Sequence, residues 1–128
     1  MTRSPAAADV TVVIPTRGRS PFFGDALASA LADEPAEVLV VDDGGGELDE
    51  DSLSGARLLR LEHVGRSAAR NRGVEAARTP LVAFLDDDDL VLPGRFERQS
   101  ETLAAARDAP LTFGRVQVVG RDGEALAD

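Results

Sequence analysis

Four consecutive aspartates, Asp86 to Asp89, are the feature of the sequence most suited to chemistry. Carboxylates this close together repel one another, so each is harder to ionise than an isolated one. A divalent cation relieves that repulsion, and oxygen ligands suit Mg²⁺ or Mn²⁺. Because Mg²⁺ is often held by one or two carboxylates together with substrate phosphates, the run predicts a bridge between a metal ion and a diphosphate. The alternative interpretation is a solvated acidic turn.

A second acidic pair, Asp42 and Asp43, is followed by three glycines. An aspartate at the end of a strand can accept hydrogen bonds from a ribose or from the N–H of a base. Acidic residues and glycine also end strands for purely structural reasons, so both interpretations stay open.

Arginines supply the complementary charge. Arg66 and Arg70 are four residues apart, which places them on one helix face near its N-terminus, where phosphate binds well. A solvated basic face is the alternative. Arg17 and Arg19 follow the first predicted strand and are also within reach of a phosphate. His63, the only histidine, is expected to be a loop or strand-end residue rather than a catalytic one.

Short apolar runs precede the polar clusters and predict the strands that position them. The runs at 10–14, 38–41 and 81–85 are typical of buried strands, and 57–61 of a half-exposed one. Helices are predicted from Ser20-Pro21, over 67–77 and from Pro93; a last strand is predicted over 111–119, with a hairpin turn at 121–123.

This alternation of strands and helices predicts an α/β domain with a mostly parallel sheet. Ligands of such sheets bind beyond the carboxyl ends of the strands. We therefore expect the clusters at 15–19, 42–46 and 86–89 to lie along one edge of the sheet.

The composition bounds the function further. A chain of 128 residues suits one domain, here 9–128 after a loose tail at 1–8. All 14 basic residues are arginine, which excludes a P-loop and Schiff-base chemistry. The absence of cysteine excludes disulfides and thiolate zinc sites, and the single histidine excludes multi-histidine metal sites.

The charge and hydropathy patterns give expectations about partners and location. A net charge of -9 disfavours binding to nucleic acid or anionic lipid. No apolar run approaches a membrane span, and the first residues do not resemble a signal peptide. We expect a cytoplasmic chain, with a position at the cytoplasmic membrane face left open for a longer parent protein.

Four motifs in order resemble the successive motifs of family 2 glycosyltransferases. They are VVIPT at 12–16, VVDDG at 40–44, ARNRG at 69–73 and FLDDDD with its downstream proline at 84–93. The order and spacing match over residues 10–107. Single motifs of this kind are weak signals, whereas four in sequence are specific.

The resemblance implies a GT-A (Rossmann-like) fold, in which a mostly parallel sheet is flanked by helices. It also implies a UDP- or GDP-linked sugar donor, a Mn²⁺ or Mg²⁺ ion, transfer with inversion, and a saccharide, lipid or other small acceptor. Asp88 and Asp86 are the implied metal ligands, and Asp43 is expected to face the base. With the arginines argued above, the predicted nucleotide-sugar-binding residues are Pro15, Thr16, Arg17, Asp42, Asp43, Arg66, Arg70, Asn71, Asp86 and Asp87.

The sequence departs from the family pattern in three places. Arg17 and Gly18 stand where many members carry an aromatic residue and asparagine, although an arginine plane can also stack on a base. Gly45 and Gly46 replace the commoner serine. The acceptor half of the family, with its general-base carboxylate, follows the last strand seen here, so the sheet is expected to be truncated after the strand that follows the D-x-D helix.

We therefore expect the general base to lie beyond Asp128, and the 128 residues alone to bind donor without useful transfer. The competing hypothesis is a catalytically incompetent nucleotide- or metal-binding α/β module. A response-regulator receiver would need a lysine, which the chain lacks. A dinucleotide-binding domain would need G-x-G-x-x-G after the first strand, where residues 15–19 do not match it.

Overall fold

The computed structural model describes residues 9–44, 48–106 and 108–127. The predicted tail at 1–8 lies outside the described residues, as do Gly45 and Gly46 of the second polar cluster. Within the described ranges, no helix is both long enough and apolar enough to cross a bilayer.

Strands and helices alternate along the chain. In order they are β1 (Val10–Thr16), α1 (Phe23–Ala32), β2 (Glu37–Asp42), β3 (Arg57–Arg60), α2 (Arg66–Ala76), β4 (Leu81–Phe84), α3 (Arg95–Ala105), β5 (Val118–Val119) and β6 (Ala125–Ala127). A short 3₁₀ turn at Glu50–Ser52 precedes β3.

The main sheet has the strand order β3-β2-β1-β4, and every neighbouring pair is parallel. Thr16 of β1 lies opposite Asp42 of β2, and Asp42 lies opposite Arg60 of β3. The carboxyl ends of the strands therefore meet at one edge. The predicted α/β fold with a parallel sheet is confirmed, and so is the convergence of the polar clusters.

Both faces of the central strands are buried, which explains their nearly continuous apolar sequence. One face, with Ile14 and Val40, packs with Ala26 of α1 and Phe96 of α3. The opposite face, with Val13 of β1 and with Leu39 and Val41 of β2, packs with Ala69 of α2. Thr11 of β1 is the exception: it is fully buried, and its hydroxyl oxygen lies 2.7 Å from that of Thr79.

Helix α2 lies close to the sheet because its inner face is made of small residues. A Cβ atom placed on Gly73 would lie 2.5 Å from Cγ1 of Val13. The helix predicted over 67–77 is confirmed, and its buried residues are Ala69 and Gly73.

Helix α3 begins at Arg95 rather than at the predicted Pro93. Its first N–H groups are bound by a carboxylate from the end of α1: Gly94 N donates to Asp33 Oδ1 at 2.6 Å and Phe96 N to Asp33 Oδ2 at 3.1 Å. Capping by an acidic side chain stabilises a helix N-terminus. Because Asp33 is 61 residues from Gly94, local sequence could not show this cap.

Helix α1 also starts later than the sequence indicated. It begins at Phe23, and Ser20 Oγ accepts a hydrogen bond from Phe22 N within the preceding turn. Ser20 therefore stabilises the approach to the helix and does not cap it directly.

Two strand predictions were wrong. β4 is only partly buried, and Phe84 is 41% exposed, because β4 pairs with β1 alone among the described residues. The strand predicted over 111–119 is reduced to Val118–Val119, and Phe113 is 86% exposed. The predicted hairpin turn is confirmed: Gly123 has φ 86° and β5 pairs antiparallel with β6.

The close approach of α2 predicts opposite effects for two glycine-to-alanine substitutions. Gly73→Ala pushes a methyl group into Val13, so we expect a net loss of about 1–2 kcal/mol in the free energy of unfolding despite the better helix propensity. Gly24→Ala in α1 meets nothing within 4 Å and should gain about 0.5–1 kcal/mol. Urea denaturation of both variants checks this, and a stabilised Gly73→Ala protein would contradict the packing described.

Candidate functional site

A cleft of about 530 Å³ lies at the carboxyl edge of the sheet. Six of the predicted nucleotide-sugar-binding residues line it: Pro15, Thr16, Arg17, Asp43, Arg66 and Asp87. They come from the ends of β1, β2 and β4 and from the start of α2. The parallel sheet is therefore what brings these side chains together.

Asp43 is the most firmly held charged residue of the cleft. Its side chain accepts hydrogen bonds from Val64 N at 2.7 Å and Gly65 N at 2.8 Å, one on each carboxylate oxygen, and the residue is only 4% exposed. Burial acts to raise the pKa of Asp43, but these two N–H groups and the nearby His63 and Arg17 outweigh it and leave the pKa below its usual range. Asp43 is therefore a fixed anion with lone pairs left to accept a ligand N–H.

Thr16 links the end of β1 to the acidic run. Its hydroxyl donates to Asp87 Oδ2 at 2.7 Å and accepts from Gly18 N at 3.0 Å. The main chain of Thr16 also accepts a hydrogen bond from Asp43 N at 2.9 Å. One threonine thus connects the cluster after β1 to the clusters after β2 and β4.

The other three aspartates of the run form a separate group. Asp86, Asp88 and Asp89 each offer a carboxylate oxygen within 4.8 Å of the others. Partial burial and repulsion from Asp88 and Asp86 raise the pKa of Asp89, while Arg95 acts in the opposite direction. Three converging carboxylates fit the hard-oxygen ligand set of Mg²⁺ or Mn²⁺.

Asp89 was not among the predicted metal ligands. A turn after β4, closed by the hydrogen bond from Asp89 N to Asp86 O at 3.1 Å, brings it beside Asp86. The run of four aspartates was visible in the sequence, but strand alternation does not describe residues that follow a strand.

Asp86 has a second partner. Arg70 Nη2 of α2 lies 2.7 Å from Asp86 Oδ1, so the acidic group is joined to the helix that carries the basic residues. Arg70 and the exposed Asn71 do not line the cleft. Arg66 does line it. It is the first residue of α2, which agrees with its predicted position near the helix N-terminus.

The structure separates Asp42 from the cleft that contains Asp43. Asp42 is 1% exposed, its Oδ1 accepts a hydrogen bond from Gly44 N at 2.9 Å, and Oδ2 has no hydrogen-bond partner among the described residues. Strand alternation places Asp42 on the same face as Val40, away from α2. Its contact with Gly44 indicates a role in the turn, and its predicted part in nucleotide binding stays a prediction.

His63, which the sequence analysis expected to be a loop or strand-end residue, lies at this edge with Arg19. Both line the first cleft and also a second one of about 600 Å³ beside β3, together with Arg17 and Arg60. One sequence signal could have indicated this position. His63 lies in the loop between β3 and α2, and a loop that follows a parallel strand begins at the carboxyl edge of the sheet. A lone histidine has no motif, so its type alone could not show this.

Comparison with known proteins gives a consistent family match. The family model described as glycosyl transferase family 2 matches residues 11–124. The succinoglycan biosynthesis protein ExoO of Rhizobium meliloti (strain 1021) is 36% identical over 126 residues, covering 92% of this chain and 36% of that protein. ExoU of the same organism is 38% identical over 102 residues, covering 70% and 29% of the two chains.

A solved structure shows the same fold. The crystal structure of S. aureus TarS 1–349 superposes with a TM-score of 0.63 at 22% identity, covering 77% of this chain and 33% of that one. The predicted GT-A-like architecture is thereby confirmed. The chain spans about a third of the length of the two curated relatives described above.

The anchoring of Asp43 predicts a pH-dependent loss of stability in Asp43→Asn. The charged carboxylate accepts two N–H groups, so its removal should lower the free energy of unfolding at pH 7 by about 1–3 kcal/mol. Since the folded pKa is lowered, this difference should shrink as the pH falls below about 4. Chemical denaturation from pH 7 to 3 measures it, with exposed Glu101→Gln as the control. A difference independent of pH would contradict the charge-based account.

Proposed function

Because the chain belongs to glycosyl transferase family 2, we propose that its carboxyl-edge cleft binds a UDP- or GDP-linked sugar together with Mn²⁺ or Mg²⁺. The parent protein transfers that sugar, with inversion, to a saccharide, lipid or other small acceptor. The observation that carries the proposal is the meeting of an anchored carboxylate, a basic helix start and a three-carboxylate group along one edge.

In this proposal the anchored carboxylate recognises the nucleoside. Asp43 accepts an N–H from the base, while Pro15, Thr16 and Arg17 form the adjoining wall of the cleft. The hydrogen bond from Thr16 to Asp87 fixes the distance between this wall and the acidic run. A nucleoside and its diphosphate can then be bound side by side without rearrangement of the strands.

The diphosphate lies between opposite charges in this proposal. Arg66 contacts the diphosphate from the α2 side, with Arg70 and Asn71 further along that helix. On the opposite side Asp88 and Asp86 would hold the metal ion, and Asp89 would complete the ligand group. A bound divalent cation neutralises negative charge on the leaving diphosphate. The chain's own residues orient the donor, because guanidinium groups fix phosphate oxygens through directed hydrogen bonds.

The general base is a separate requirement. It must reach the acceptor hydroxyl on the side of the sugar away from the diphosphate. The carboxylates that line the first cleft already have hydrogen-bond partners, since Asp43 binds two N–H groups and Asp87 binds Thr16, and Asp86 of the metal group binds Arg70. We therefore place the base, with the acceptor site, in a part of the parent protein outside these residues.

Because these carboxylates already have partners, the structure also favours a second candidate function for residues 9–128 alone. They form a nucleotide- and metal-binding module that does not catalyse transfer by itself. The cytoplasmic location and the exclusion of nucleic acid from the partners stay predictions.

Metal dependence is the first test of the proposal. Isothermal titration of the chain with UDP and with GDP in Mn²⁺ should show binding of at least one nucleotide. Binding should weaken by about tenfold or more after EDTA treatment, since the acidic run otherwise repels the diphosphate. Equal affinity with and without the metal would remove the metal from the proposal.

The three-carboxylate group predicts an order among asparagine variants. Asp88→Asn should weaken Mn²⁺-dependent nucleotide binding more than Asp89→Asn, because Asp88 is the proposed principal metal ligand and Arg95 partly offsets the charge of Asp89. Asp122→Asn, an exposed position in the β5–β6 turn, is the matched control and should bind nucleotide as tightly as the unsubstituted chain does. If Asp88→Asn and Asp89→Asn cannot be told apart by titration, the run is a diffuse acidic patch.

A further inference from the structure

Three arginines meet at the second cleft, the one of about 600 Å³ beside β3. Arg17 and Arg19 follow β1, whereas Arg60 is the last residue of β3, so the three side chains come from distant parts of the chain. Glu62 also lines the cleft and offsets only part of this positive charge. The cavity has the size of the clefts that bind small molecules in other proteins.

These three guanidinium groups have no ion-pair partner in the part of the chain that the structure describes. In residues 9–44, 48–106 and 108–127 the ion pairs are Arg57–Glu37 and Arg70–Asp86. Carboxylates are not scarce, because the chain has 23 acidic and 14 basic residues. Positive charges left without a carboxylate around one cavity of an acidic protein indicate that the cavity binds an anion.

The acidic segment before β3 does not neutralise the cleft. The carboxylate of Glu50 accepts a hydrogen bond from Leu58 N at 2.8 Å and is thereby directed to the backbone of β3. Arg60, two residues after Leu58, donates from Nη2 to the main-chain oxygen of Leu48. The segment therefore holds the guanidinium group of Arg60 through a neutral acceptor and leaves its charge uncompensated.

The two arginines after β1 are also positioned by neutral groups. Gly18, which lies between them, has φ 74°, and its N–H donates to Thr16 Oγ1 at 3.0 Å. Arg17 donates from Nη2 to Nδ1 of His63 at 2.9 Å. Its influence on the pKa of Asp43 acts from beyond ion-pair distance. The charges of the cleft are thus held in place before any ligand arrives.

We propose that the second cleft is a metal-independent binding site for a small soluble molecule that carries a phosphate group. Guanidinium groups bind phosphate oxygens through paired N–H donors, and several of them suit a doubly charged phosphate better than a single carboxylate. A net charge of -9 disfavours a long polyanion or an anionic membrane as the source of that phosphate. The site goes beyond the proposed function, since Arg60 and Glu62 line this cleft and not the first one.

The test uses pyrophosphate in the presence of EDTA, so that no metal ion can bridge the anion to the acidic run. Arg60→Gln removes an arginine of the second cleft alone, and Arg19→Gln is a second variant that keeps the hydrogen bond to Leu48. Arg66→Gln reports on the first cleft. Arg121→Gln makes the same substitution at an exposed position in the β5–β6 turn and is the matched control. Each chain is titrated calorimetrically after thermal unfolding confirms that it is folded.

We expect the unsubstituted chain to bind pyrophosphate in EDTA. Arg60→Gln and Arg19→Gln should each lose about tenfold in affinity, the scale of one charge-assisted hydrogen bond, and Arg121→Gln should lose nothing. No binding in EDTA would overturn the inference, as would a loss confined to Arg66→Gln or one equal in Arg121→Gln. Because the titration contains no metal ion, its result does not depend on the metal–nucleotide site of the proposed function.

A second arm distinguishes a soluble phosphate from a lipid headgroup. The unsubstituted chain and Arg60→Gln are sedimented with phosphatidylcholine vesicles that contain phosphatidic acid. We expect neither chain to sediment with them. Sedimentation that requires Arg60, without binding of pyrophosphate, would overturn the assignment to a soluble ligand.

Discussion

The parallel direction of β1, β2 and β4 is the constraint on which the rest of the structure depends. Both faces of β1 and β2 are buried; apart from Thr11, the residues inside these strands are apolar, and the charged residues Glu37 and Asp42 stand at the two ends of β2. The register then decides which ends meet: Thr16 lies beside Asp42, and Asp43 N reaches back to Thr16 O. A binding edge follows from the topology before any side chain is considered.

Charge is divided along that edge, even though the chain as a whole is strongly acidic. Carboxylates of the acidic run gather at the β4 end, whereas Arg17, Arg19 and Arg60 gather toward β3. Asp43 lies between the two, kept anionic by two backbone N–H groups. In the function proposed above, the base lies beside Asp43 and the diphosphate reaches the acidic run through a metal ion.

Sequence patterns predicted the structural elements that depend on residues close together in the chain. Apolar runs located the central strands, and the helix predicted over 67–77 agrees with α2 to within one residue at each end. They could not show which strands would have a neighbour on both sides, so β4 was expected to be buried. They also could not show that only the last two residues of 111–119 would form a strand. Nor could they show contacts between distant residues, such as the Asp33 cap on α3, or the side to which Asp42 turns after β2. Asp89 and His63 follow strand ends, where alternation no longer indicates direction.

The most direct measurement of the central claim is paramagnetic broadening by Mn²⁺ in amide NMR spectra of the isotope-labelled chain, with and without UDP or GDP. Our account predicts that signals at the carboxyl edge broaden first, from Asp86 to Asp89 and at Thr16, and that adding the bound nucleotide strengthens this pattern. Signals at the opposite ends of the strands, such as Val10 and Glu37, should stay sharp. Broadening spread evenly over the acidic surface, or unaffected by either nucleotide, would contradict a single metal–diphosphate site at this edge.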